Sequence, residues 1–192
     1  MTLPEDISRD ELTFRFMAGR VSLALTATVG ERWRRSFERL REPADLARWL
    51  VEAGLIAHKT QVRDDQVKLA RELREAIYRC ARAIMAGEAM PRVDVARVNR
   101  VARLVPAAPQ VDTHGRMRWR SEDPVAAALS VIARDAVDLF SGRWASRIRE
   151  CASEECALLF VDFSRPGARR WCSSETCGTR ARSAAYRTRN RQ

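Results

Sequence analysis

The sequence predicts an α+β protein, in which a mainly helical N-terminal domain with small β-hairpins precedes a small C-terminal module. The chain has 192 residues, enough for one ordinary domain and a short appendage. Apolar residues recur at helical spacing through the first three quarters, and short alternating runs surround some of the glycines. Four of the five cysteines fall near the C-terminus. We therefore expect one domain over residues 1–148 and a module over residues 149–192.

The first elements are the least regular ones. The stretch from Thr13 to Thr28 alternates on both sides of Gly19, which predicts a hairpin, although its second half could equally open a helix. Residues 29–42 are highly charged and carry Trp33 and Phe37 four positions apart. That spacing predicts a short amphipathic helix.

Helical periodicity is clear in the rest of the domain. The predicted helices run from Pro43 to Gly54, from Gln61 to Ala86, from Pro91 to Leu104, and from Asp123-Pro124 onward, extending toward Ile148. Between the last two, Gln110 to Arg120 alternates around His114-Gly115 and predicts a hairpin. Cys80 lies on the apolar face of its helix, and we interpret it as a small buried hydrophobe.

The other four cysteines form two pairs of equal spacing. Four residues separate Cys151 from Cys156 and Cys172 from Cys177, and fifteen residues separate the pairs. Two such pairs can place four thiolates at the corners of a tetrahedron, the geometry of structural zinc. Two disulfides are the alternative. The first fourteen residues contain acids and no apolar core segment, so we expect no secretory signal, a cytoplasmic chain and reduced thiols.

The residues between and after the pairs favour the metal. Residues 157–163 are apolar and β-prone, residues 164–168 have turn chemistry, and residues 169–171 should return as a second strand that delivers Cys172. A helix is expected to follow from Ser173, which gives the order of a treble-clef zinc finger. So small a module lacks area for its own core, and one structural Zn²⁺ would supply the stability.

Positive charge concentrates in the same module. Of the net charge of +10, residues 157–192 contribute +6, from eight arginines against Asp162 and Glu175. A preference for Arg over Lys can reflect codon usage, but codon usage does not explain why so few acids accompany them. Such a patch is typical of proteins that bind a polyanion.

Several runs of the module resemble the CGNR-type zinc finger. They are FVDFSR at 160–165, RRWC at 169–172, CGTR at 177–180 and AYR at 185–187. Thr179 stands where the family's Asn is usual. The substitution leaves the four cysteines untouched, but a hydroxyl is a weaker substitute for any amide contact to nucleic acid.

The N-terminal part is similar to the ABATE domain. The resemblance rests on Gly19-Arg20 before a leucine-rich run and on the pattern DLxxWL at 45–50, although Ala24 and Ala27 stand where polar residues are expected. The resemblance implies a DNA-binding treble clef behind an ABATE domain, as in proteins regarded as stress-induced transcription regulators. It also implies an unidentified small-molecule ligand for the N-terminal domain.

We therefore expect a zinc-dependent, DNA-binding transcription regulator whose hairpin tip and last helix contact duplex DNA. The candidate contacts are Arg165, Arg169, Arg170, Thr179, Arg180, Arg182, Arg187 and Arg189. An RNA-binding module and a protein-docking module remain alternatives. The sequence contains no HExxH run, phosphate loop or nucleophile elbow, so we expect no enzyme. No apolar run approaches the length of a membrane span.

Overall fold

A computed structural model describes residues 7–58, 60–153 and 155–189. Its architecture is the predicted α+β arrangement, mainly helical with small antiparallel hairpins. The chain divides into two compact units. Leu40–Ala145 form what we call the helical unit, and Met1–Arg39 together with Ser146–Gln192 form the cysteine unit. The predicted division of the chain at residue 148 stays a prediction.

The helical unit follows the sequence periodicity closely. It contains α2 (Pro43–Glu52), α3 (Asp64–Ala86), α4 (Arg92–Ala102), β3 (Ala108–Val111), β4 (Met117–Arg120) and α5 (Pro124–Ser141). Helix α3 ends at Gly87, whose φ of 72° lies in the left-handed region that glycine adopts without strain. Helix α5 begins at the predicted cap, where the Asp123 carboxylate accepts a hydrogen bond from the Ala126 amide at 2.9 Å.

The core of this unit is built by α3, α4 and α5. Leu73, Ile77, Leu129 and Ile132 are fully buried, and each contributes roughly 1.5–3 kcal/mol relative to an exposed side chain. Cys80 is buried among them, as predicted, and burial raises its pKa to about 11. Hairpin β3–β4 is also confirmed, with Val111 opposite Met117.

The first part of the cysteine unit differs from two predictions. Residues 21–26 form a helix, α1 (Val21–Thr26), so the hairpin expected over Thr13–Thr28 is wrong and its helical alternative is right. Residues 29–42 contain no helix. They form a short hairpin of β1 (Val29–Gly30) and β2 (Phe37–Glu38).

Packing around Phe37 explains why β1 and β2 form within residues 29–42. A Cβ on Gly30 would lie 2.2 Å from the Phe37 ring, so only glycine lets that buried ring lie against the opposite strand. The pairing continues where the Arg39 amide donates to the Thr28 carbonyl at 2.9 Å. Trp33 is largely exposed, so its spacing from Phe37 does not mark a shared buried face. Tertiary contacts here override local periodicity.

The C-terminal part contains β5 (Ile148–Glu150), β6 (Leu159–Val161), one π-helical turn (Ser174–Gly178) and α6 (Thr179–Arg189). Strand β5 stands where we expected α5 to continue. Strand β6 pairs antiparallel with β5 and not with residues 169–171, which are not a strand. The predicted hairpin over residues 157–171 is therefore wrong, because the partner of β6 precedes the first cysteine pair.

The N-terminal segment packs directly on this part of the chain. The Val161 amide donates to the Ala18 carbonyl at 3.0 Å, so residue 18 extends the edge of β6. The Trp33 indole N–H donates to a Glu150 carboxylate oxygen at 2.6 Å. The zinc module, residues 149–192, therefore belongs to the same compact unit as residues that lie more than a hundred positions earlier in the chain.

Candidate metal centre and nucleic-acid interface

Local backbone structure brings the cysteines of the first pair together. Cys151 and Cys156 lie in the loop of hairpin β5–β6, which closes where the Cys151 amide donates to the Leu158 carbonyl at 2.9 Å. The Cys156 amide donates to the Ser153 carbonyl at 2.9 Å, and Ala157 takes a left-handed φ of 51°. This tight turn points both thiols inward, where Cys151 is buried and Cys156 is half-buried.

The second pair comes from the other end of the module. Cys172 follows a loop whose Arg170 carbonyl accepts a hydrogen bond from the Ala152 amide at 2.8 Å. Cys177 lies in the π-helical turn before α6, and the Ser173 hydroxyl caps that turn by accepting from the Thr176 amide. The knuckle and the last ligand at the start of a helix follow the predicted treble-clef order, whereas the hairpin expected between them is replaced by the pairing of β5 with β6.

The four sulfur atoms form one cluster. All lie within 4.8 Å of one another, with 3.6 Å between Cys156 and Cys172 and 3.7 Å between Cys172 and Cys177. A zinc ion with Zn–S bonds of about 2.3 Å requires sulfur separations of about 3.8 Å in a regular tetrahedron. A disulfide requires about 2 Å. All four cysteines are free, so the alternative of two disulfides is wrong, and the cluster fits one tetrahedral metal ion.

Electrostatics also favour a cation at this place. Hydrogen bonds from the Cys156 and Cys172 thiols lower the pKa of Cys151. Hydrogen bonding to Cys151 and Cys156, together with burial, raises the pKa of Cys172. Four thiolates held this close together would repel one another. A divalent ion would supply the charge that lets all four ionise.

A buried carboxylate shapes the loop between the two pairs. Asp162 is fully buried and accepts hydrogen bonds from the amides of Ser164 and Arg169, each at 2.9 Å. Burial alone would raise its pKa, but these hydrogen bonds outweigh burial and the pKa is lowered. We had not predicted a role for this residue, although an Asp inside the apolar run 157–163 was a usable signal.

Arg169 supports the same loop from within. Its guanidinium donates to the carbonyls of Trp171 and Cys172 and lies 4.8 Å from the centre of the Phe160 ring. The side chain is half-buried. Its donors are directed into the module, toward the backbone of the metal ligand Cys172.

The other arginines predicted to contact nucleic acid are exposed where their side chains are described. They are Arg165 in the turn after β6, Arg170 beside the Trp171 ring, and Arg180, Arg182 and Arg187 on α6. Arg180 and Arg187 are seven residues apart and share one face of the helix. The side chain of Arg189 lies outside the described residues.

Thr179 and Arg182 also fasten the start of α6. The Thr179 hydroxyl donates to the Ser174 carbonyl at 3.2 Å and accepts from the Arg182 guanidinium at 2.9 Å. Arg182 donates to the same carbonyl at 3.3 Å. The Thr that replaces the usual Asn therefore joins the π-helical turn of Cys177 to α6.

The fold and the cluster define a zinc-finger protein with a mainly helical N-terminal part. Family comparison matches residues 147–190 to the CGNR zinc finger and residues 19–143 to ABATE, described as "Putative stress-induced transcription regulator". The chain belongs to the ABATE family and carries a C-terminal CGNR zinc finger. Its four cysteines form the zinc-finger site, and their geometry fits one structural Zn²⁺.

Both matched families are of the regulator and zinc-finger type and are not enzyme families. No match was found among curated proteins. Within the described residues, no helix combines the length and apolar character needed to cross a membrane.

Proposed function

We propose that this protein is a DNA-binding transcription regulator whose zinc ion is purely structural. The observation that carries the proposal is the buried four-sulfur cluster, from which a turn and a helix with exposed arginines extend. Four thiolate ligands leave no open position for catalysis at the metal. The ion would act by fixing the β5–β6 loop, the loop before Cys172 and the start of α6 relative to one another.

Helix α6 has the dimensions and charge of an element that contacts duplex DNA. Its 11 residues span about 16 Å, and the major groove of B-DNA, about 12 Å wide, admits a helix. The exposed residues Arg180 and Arg187 lie on one face, where they can reach phosphates. Arg165 and Arg170 add charge before the second cysteine pair. We assign Arg169, Thr179 and Arg182 a supporting role, because each already bonds within the module.

Binding of duplex DNA over a salt series tests the proposal. We expect the zinc-loaded protein to lose affinity as salt rises, with a slope of about −0.9 per phosphate contact in a plot of log K against log salt. Arg180→Ala and Arg187→Ala should each weaken binding and reduce that slope by about one. Arg100→Ala, which removes an exposed arginine of α4 in the helical unit, is the matched control.

Zinc content must be measured first for every variant. Two variants that keep their zinc and lose no affinity would show that α6 is not the binding face. Tighter binding of structured RNA than of duplex DNA at equal salt would favour the RNA-binding alternative. A salt slope near zero would favour a protein-docking module.

A further inference from the structure

The cysteine unit contains a cleft of about 590 Å³. One wall comes from the N-terminal segment and includes Arg15, Phe37 and Arg39. The other wall comes from the zinc module and includes Glu155, Cys156, Leu158 and Arg180. A cleft of this volume is typical of sites for small molecules.

Arg39 is the most unusual charged group in the cleft. Its side chain is almost fully buried, with 4% relative exposure. The guanidinium donates to the carbonyls of Glu11 at 2.8 Å and Ala27 at 2.9 Å. Among the described residues, no carboxylate lies within ion-pair distance of it. Burial, followed by the charge of Arg15, lowers its pKa to about 10, so it stays ionised at neutral pH. The charges of Cys156, Glu11 and Glu38 offset part of this effect, but a buried cation without a directly paired carboxylate is still costly.

Arg15 strengthens that imbalance. It lines the same cleft, and in the described part of the chain it forms no ion pair. By contrast, Arg35 at the cleft rim bonds to the carboxylates of both Glu11 and Glu31. Glu11 and Glu31 are therefore engaged by Arg35, whereas within the described residues neither Arg15 nor Arg39 forms an ion pair. Two guanidiniums placed together are suited to a carboxylate or a phosphate.

The cleft also has an apolar side. Ala27, Val29, Phe37 and Leu158 line it, and the Phe37 ring lies 4.7 Å from the Arg39 guanidinium carbon. Ala27 is one of the two positions where the ABATE resemblance leads one to expect a polar side chain. Alanine there leaves an apolar surface next to the two arginines. The surroundings therefore match a molecule with an anionic head and an apolar body.

We propose that this cleft binds a small organic oxyanion, with its carboxylate or phosphate between Arg15 and Arg39 and its apolar body against Ala27, Val29 and Leu158. A ligand placed there would contact the zinc module through Glu155, Cys156 and Arg180. The Arg180 guanidinium lies 3.9 Å from the Glu155 carboxylate and also belongs to the proposed DNA-binding face. The ligand would therefore lower DNA affinity, and this last step rests on the proposed function.

Direct binding to the zinc-loaded full chain tests the site without DNA. The probes are benzoate, phenyl phosphate, inorganic phosphate and uncharged benzamide, measured by calorimetry and by the shift in Tm. We expect benzoate or phenyl phosphate to bind and raise Tm, and benzamide to have no effect. Arg15→Gln should weaken binding about 10- to 100-fold, because it removes charge-assisted hydrogen bonds. Arg9→Gln, at an exposed arginine that does not line the cleft, should change nothing.

Three results would overturn the assignment. They are the absence of binding by both organic anions at millimolar concentration, equal binding of benzoate and benzamide, and binding of inorganic phosphate as tightly as of both organic anions. The variant Arg39→Gln distinguishes ligand binding by Arg39 from a purely structural role of this side chain. If Arg39 only balances the charge of the zinc thiolates, this variant will lose zinc while the wild type binds no probe.

Competition with DNA tests the final step separately. If the organic anion binds and lowers DNA affinity, the coupling holds. If it binds and DNA affinity is unchanged, the coupling is wrong and the site stands. If the protein binds no DNA at all, the proposed function fails, while the calorimetric result on the cleft keeps its meaning.

Discussion

Replacing Asp162 by Asn is the sharpest test of how the zinc module is held together. The wild-type carboxylate is fully buried and accepts the amides of Ser164 and Arg169 through its two different oxygen atoms. Asn has nearly the same shape but offers one oxygen and one N–H₂ group. One of the two backbone amides must therefore lose its acceptor and face a donor instead.

The expected cost follows from these two contacts. A hydrogen bond to a charged group contributes about 1.5–3 kcal/mol, and a buried donor left unsatisfied costs about 1–3 kcal/mol. We therefore expect the free energy of unfolding to fall by about 2–4 kcal/mol. Because the loop leads to Cys172, we also expect zinc to dissociate faster.

The stability that the Asp162 carboxylate contributes depends on pH with a definite sign. The pKa of Asp162 in the folded protein lies below its ordinary value of about 3.9. A lowered carboxyl pKa adds stability that is fully present above the unfolded pKa and is lost as pH falls through the folded pKa. The difference in stability between wild type and Asp162→Asn should therefore be constant between about pH 6 and pH 8.

Urea unfolding of the zinc-loaded proteins provides the measurement, with transfer of zinc to a chromogenic chelator as a second readout. Asp64→Asn, at an exposed carboxylate in the first turn of α3, is the matched control and should cost only a few tenths of a kcal/mol. A loss below about 0.5 kcal/mol for Asp162→Asn, with normal zinc retention, would refute the role given to this carboxylate.

Three other outcomes are expected. Removing zinc with a strong chelator should unfold the cysteine unit and lower the helical circular dichroism signal through loss of α6, and full retention of that signal would contradict the structural role of the metal. Gly30→Ala should destabilise the protein by about 1–3 kcal/mol, because the new Cβ overlaps the Phe37 ring, and the double variant with Phe37→Leu should recover part of the loss. Cys80 should react slowly with a disulfide reagent at pH 8 until the protein unfolds, because burial raises its pKa to about 11; rapid reaction in the native state would contradict its burial.

The parts of this protein that the sequence alone determined are local ones. The equal spacing of the two cysteine pairs was enough to predict the four-sulfur cluster, because a tetrahedral ion requires only that each short loop bring two thiols inward. The helices of the helical unit were predicted for a similar reason. Their apolar positions recur every three to four residues, and Gly87 and Asp123 mark helix ends through the chemistry of a single residue.

Only the tertiary structure decided which distant segments meet. Strands of two or three residues show no period, so their partners depend on contacts elsewhere: Gly30 with Phe37 for β1–β2, and β5 for β6. The meeting of Arg15 and Arg39 with Cys156 likewise has no signal in the sequence, because more than a hundred residues separate them. Helix periodicity and metal-ligand spacing each involve only a few neighbouring residues. Strand pairing and cleft formation depend instead on the free energy of packing the whole unit.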